Sequence, residues 1–248
     1  MNKRTIISTL IILPLISSCR GAPIQYERAK EIKDSIKAKL ADSTFVPEVK
    51  LFTKKEYRIS DATTTVIQEI YNREKMFCSY YEIVDNKSVK EEFYYRQDDA
   101  EKGIYLISAV RMNGEWDKDK IIKTHYKTEA EVKETWDKYH KETILTKIVS
   151  ESNQCINKME DIFGYADGEE ISVSVSCMSE NNESLSVEAR YNQSSMVSAQ
   201  EVTNRYEYKL YIKDYIIASY EYNLDSAHNS SLGYNYNKAI INLPKLPI

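Results

Sequence analysis

The chain has 248 residues, 42% hydrophobic and 29% charged, with 34 Lys plus Arg against 38 Asp plus Glu for a formal net charge of −4. This excludes collagen, coiled coil and a wholly disordered chain, provides no whole-chain basic field to hold nucleic acid, and leaves 6 Gly and 5 Pro from which to build phosphate loops. Its 20 tyrosines against 5 phenylalanines point to half-exposed β surfaces, where a ring packs on the pleat while its hydroxyl stays near water.

Lys3 and Arg4 precede an apolar run from Ile6 to Ile16, which is followed by Ser17, Ser18 and Cys19. The run is shorter than the roughly 20 residues needed to cross a bilayer, so residues 1–18 read as a signal peptide. The string Ile16-Ser17-Ser18-Cys19 resembles the bacterial lipobox. That resemblance implies cleavage before Cys19 and its diacylation, with residues 19–25 as a lipidated tether. Acyl chains would be the anchor, on the extracytoplasmic face of the cell membrane, because no second apolar stretch approaches spanning length.

Residues 26–248 read as a single domain. Ala29, Ile32, Ile36 and Leu40 recur at helical spacing, with Lys and Glu between them, and predict an amphipathic helix packed on the domain. From about residue 46 the period changes to 2. Strands are expected over 48–58, 63–71, 76–84, 89–96 and 104–110, separated by polar turns such as Asp85-Asn86-Lys87. After the middle of the chain the alternation returns: Ile171, Val173, Val175 and Cys177 against serines, then Leu185, Val187, Ala189 and Tyr191. Runs at 204–212 and 215–223 pivot on Lys213-Asp214, His228 falls in a Ser/Asn-rich turn, and a last strand is expected near 236–243.

Between the two strand groups, Thr128 and Glu131 form a capping-box signature that opens a helix. Val132, Trp136 and Tyr139 follow on one stripe, so Trp136 and Tyr139 are expected to face the sheet and are candidates to line a cavity beneath the helix. His140 is expected on the solvated side. A break is expected near Ser150–Asn153, after which Cys155, Met159 and Ile162 resume the stripe. Cys155 and Cys177 both point into the gap between helix and sheet. Outside the cytoplasm they can form a disulfide, the alternative being three buried free thiols with Cys78.

Nucleotide-binding, hydrolase, zincin and CxxC signatures are absent from the sequence, and there are only 3 His. No cofactor or metal site and no enzyme activity is expected. Asp167, Glu169 and Glu170 beside Gly168 read as a solvated hairpin entry. Helix, antiparallel strands, central helices, further strands and the closing segment Tyr234-Asn235-Tyr236-Asn237-Lys238-Ala239-Ile240-Ile241-Asn242-Leu243-Pro244 together resemble the LolA/LppX-like superfamily of bacterial lipoproteins. The resemblance implies an α+β fold: a strongly curved antiparallel half-barrel whose concave face is plugged by helices, with an apolar cavity able to hold acyl chains. The expected function is therefore a membrane-anchored lipoprotein binding a lipid or other apolar ligand. The alternative is an envelope interaction module with a filled core and a protein partner of unknown identity.

Overall fold

The computed structural model describes residues 22–23, 26–60, 63–167, 173–197, 200–224 and 228–247. Cys19 and the signal-peptide reading lie outside them, as does the turn at Gly168–Glu170. A two-residue strand β1 (Ala22–Pro23) precedes helix α1 (Tyr26–Ala41). Strands β2 (Leu51–Ser60), β3 (Thr63–Asn72), β4 (Phe77–Val84), β5 (Lys87–Asp99) and β6 (Gly103–Met112) form a meander. Short strands β7 (Glu115–Trp116) and β8 (Ile122–Tyr126) follow. A continuous central helix comes next, made of α2 (Glu129–Tyr139), a π-helical turn (His140–Leu145) and α3 (Thr146–Asp167). The chain then returns to strands: β9 (Val173–Asn181), β10 (Ser184–Val197), β11 (Gln200–Lys213), β12 (Ile216–Leu224) and β13 (His228–Asn235).

Among the described residues all these strands form one antiparallel sheet, in the order β1-β9-β10-β11-β12-β13-β2-β3-β4-β5-β6-β7, with β8 also paired to β6. The two strand groups are sewn together where β13 pairs with β2. The sheet is not closed into a barrel, and the fold is the α+β class expected from the sequence. Tight turns explain the antiparallel order. Asp85 and Asn86 both take positive φ (47° and 64°), as do Asn113 and Gly114, which is the backbone that suits a two-residue hairpin to the twist of its strands.

Alternation divides the sheet into two apolar faces. Phe52, Tyr71 and Leu106 share one core with Ala29, Ile32 and Ile36 of α1 and Trp136, Ile148, Ile156 and Met159 of the central helix. α1 thus packs on the domain, as its stripe predicts. Tyr26 anchors its first turn by an edge-on contact with Phe163 at 5.0 Å and a hydrogen bond to the Phe163 carbonyl at 3.1 Å. On the opposite face Ile70, Phe77, Phe93, Tyr95 and Ile107 form a smaller cluster, against which Trp116, Ala239, Ile241 and Leu246 pack.

Three expectations about elements are corrected. Residues 236–243 are not a strand. They cross the outer face as a strap, held where Thr53 Oγ1 donates to the Lys238 carbonyl at 2.8 Å, while the last strand is His228–Asn235, read from sequence as a turn. No break occurs at Ser150–Asn153, because α3 runs through it and two of its polar residues, Glu151 and Ser152, are bonded to the sheet. His140 is buried rather than solvated: its Nδ1 is 2.6 Å from the Tyr71 hydroxyl.

Candidate functional site

The capping box opens the central helix as the sequence predicts, with Glu131 N donating to Thr128 Oγ1 at 3.3 Å and Thr128 N to Glu131 Oε2 at 3.2 Å. This fixes the phase of α2 and turns Val132 and Trp136 into the core. Trp136 lies in an aromatic stack, parallel to Tyr71 at 6.1 Å and to Tyr94 at 5.3 Å. It is buried between them, outside the lining of the cavity beneath the next turn of the helix. Tyr139 belongs to that lining. Its ring meets Tyr94 at 4.7 Å, and it shares the cavity wall with Cys78.

Directly after Tyr139 the winding widens into the π-helical turn, a feature that recurs at functional positions in helices. Beneath it a cavity of about 500 Å³ separates the helix from β3–β6. Its walls are Cys78, Tyr80, Tyr94 and Val110 from the sheet and Tyr139 and Ile144 from the helix, with the Lys147–Glu69 ion pair also in the lining. Burial raises the Tyr80 and Tyr94 phenols to about 12 and the Cys78 thiol to about 11, so all three are neutral at physiological pH.

A buried ionic cluster closes the space next to this cavity. Lys54 projects from β2 toward α3, 2.7 Å from Glu151, 3.5 Å from Glu69 and 3.4 Å from Glu56. Burial opposes the charge of Lys54, but Glu69 and Glu151 outweigh it and hold the ammonium above the ordinary lysine range. Tyr234 donates to the second oxygen of Glu151 at 2.6 Å. Beyond the cluster lies a second cleft of about 430 Å³, lined by Glu56, Arg58, Glu151, Cys155, Lys158 and Tyr220 among others. Among the described residues, the Lys54 cluster stands between these two spaces.

The Cys155–Cys177 disulfide is not formed: Cys78, Cys155 and Cys177 are free thiols. The Cys155 carbonyl receives the hydroxyl of Tyr208 on β11, whereas Cys177 sits on β9, with β10 between them. Among the described residues no cluster of three His, Cys, Asp or Glu is arranged to hold a metal ion.

No protein-family model and no curated protein matches the chain. Function must then be read from the geometry. Sequence reasoning missed Lys54 and Glu69, which fall within the expected strands 48–58 and 63–71, and Glu151, which falls within the expected break. One signal was available: Glu69 falls between Ile67 and Tyr71 in the period of 2, a carboxylate set on a dry face that needs a buried partner.

Proposed function

We propose that the protein is a lipid-anchored envelope lipoprotein that holds a small apolar or amphiphilic ligand between the central helix and β3–β6. The observation that carries this reading is the cavity of about 500 Å³ beneath the π-helical turn, within the usual range of ligand sites and walled by Tyr94, Tyr139, Val110 and Ile144. The ion pair Lys147–Glu69 in its lining offers a polar contact to an amphiphile. The Lys54 cluster argues against a long acyl chain threaded through the concavity, which a LolA/LppX-like carrier would accommodate. Cys19 supplies the anchor in this proposal, and no protein catalyst is invoked.

Two measurements test it. Cys19→Ala should move a folded domain from the membrane fraction to the soluble fraction, since acyl chains contribute about 0.8 kcal/mol per buried CH₂. Retention after a high-salt wash would refute the anchor. For the cavity, titration with the apolar fluorophore N-phenyl-1-naphthylamine should give saturable binding to the wild type that Val110→Trp abolishes while thermal unfolding stays cooperative. Undiminished binding by that variant, together with native mass spectra free of any amphiphile, would instead favour an interaction module. One observation supports that second reading: α1 and α3 pack an extensive apolar core onto the helix face, and the Lys54 cluster stands between the cavity and the second cleft.

A further inference from the structure

The pairing of β1 carries a consequence for how the domain sits on its membrane. Ala22 pairs with Ser179 and Pro23 with Met178, so the chain is joined to the edge of the sheet before α1 begins. Pro23 lacks an N–H and suits a strand that ends the sheet, where further pairing must stop. Between Cys19 and Ala22 stand only Arg20 and Gly21. Three residues of fully extended chain span about 11 Å at most.

The same corner of the molecule holds two more segments. Arg28, in the first turns of α1, donates to Asn182 in the β9–β10 turn at 2.6 Å, and Tyr215 N in the β11–β12 turn donates to the Glu183 carbonyl at 3.0 Å. Strands β4–β6, which form the floor of the cavity, lie at the other end of the strand order.

We propose that the edge formed by β1 and β9, with the β9–β10 turn beside it, is the surface held against the phospholipid bilayer, and that the cavity under Tyr139 is presented away from it. This rests on the reading of Cys19 as the acylated residue. A tether of 19–25 without the β1 pairing would let the domain swing; the pairing removes most of that reach. Ligand then approaches from the aqueous side facing away from the anchoring membrane, not by extraction from the leaflet beneath.

The test uses full-length acylated protein in phosphatidylcholine vesicles doped with a nitroxide-headgroup lipid. A bimane is placed at Asn182→Cys or at Asp119→Cys, both exposed positions, in a Cys78→Ser background, while Cys155 and Cys177 are shielded by burial. Strong quenching is expected at position 182 and little at position 119. Inserting ten Gly/Ser residues between Gly21 and Ala22 should reduce the quenching at 182 several-fold with the fold intact. Equal quenching at both positions, or no effect of the insertion, overturns the orientation while leaving the anchor standing. If the protein carries no acyl group by mass spectrometry, the anchor reading falls and the orientation with it.

Discussion

Ser152, in the middle of α3, accepts the backbone N–H of Ile217 at 2.9 Å and donates to the Ile148 carbonyl at 2.7 Å. A single hydroxyl thus docks the central helix onto the start of β12, and both residues are fully buried. The bond to Ile148 satisfies the serine within its own helix, and its oxygen lone pair serves the strand.

Ser152→Ala leaves the Ile217 N–H without that acceptor in a site closed to solvent. The expected cost is about 1–3 kcal/mol, the desolvation penalty of a buried unpaired donor. Chemical denaturation with an unchanged m-value checks it. A loss below about 0.5 kcal/mol, the scatter typical of neutral surface changes, would mean that water replaces the hydroxyl.

Lys54 provides a sharper case, since three carboxylates surround one buried ammonium. Lys54→Met removes the cation and leaves Glu69 and Glu151 facing each other's charge, which should cost about 3–5 kcal/mol. Adding Glu151→Leu to that variant should recover part of the loss, because a buried pair replaced by apolar side chains no longer strands a charge. Urea midpoints of the two single variants and the double variant decide the matter. Additive losses would show that the cluster is not coupled.

These two contacts mark the limit of what the sequence discloses. The capping box at Thr128 and Glu131, the Asp85-Asn86 turn and the apolar alternation of Leu185, Val187 and Ala189 are local signals, and each element forms where its pattern lies. Ser150 to Asn153 instead reads as a break, because in a single sequence a polar residue bonded to a distant strand looks identical to one bonded to water. His228–Asn235 has a turn-like composition and becomes a strand because β12 and β2 offer ladders on both sides. Tyr139 was placed on the inward face by its spacing from Val132. The cavity beside it depends on Tyr80, Tyr94 and Val110, whose approach to the helix is set by the order of the strands.

The cysteines should behave as three inert thiols. Burial raises Cys78 and Cys177 to about 11 and Cys155 to about 12, leaving almost no thiolate at neutral pH. Ellman's reagent should therefore react slowly with the folded domain and release three equivalents in denaturant without reductant. Recovery of Cys155 joined to Cys177 by non-reducing peptide mapping would contradict the free-thiol state of both residues.

His140 gives the domain an acid-sensitive element of known sign. Burial lowers its pKa from about 6.5 to about 4, and the nearby Arg73 cation acts in the same direction. The Tyr71 phenol, itself raised by burial, keeps its proton and shares a hydrogen bond with Nδ1 of the neutral ring. Because the folded protein binds a proton on this ring less readily than the unfolded chain does, stability is unaffected above pH 6.5 and falls as pH drops from about 6.5 toward 4. The full window is worth up to about 3 kcal/mol, at roughly 1.4 kcal/mol per pKa unit. His140→Gln retains an acceptor for Tyr71 but cannot titrate, so its stability should decline less than wild type across this window. Unfolding curves at pH 7, 6, 5 and 4 give the difference directly, with the carboxylates common to both proteins cancelling. A difference that stays constant from pH 7 to pH 4 would show that His140 titrates alike in the folded and unfolded chain.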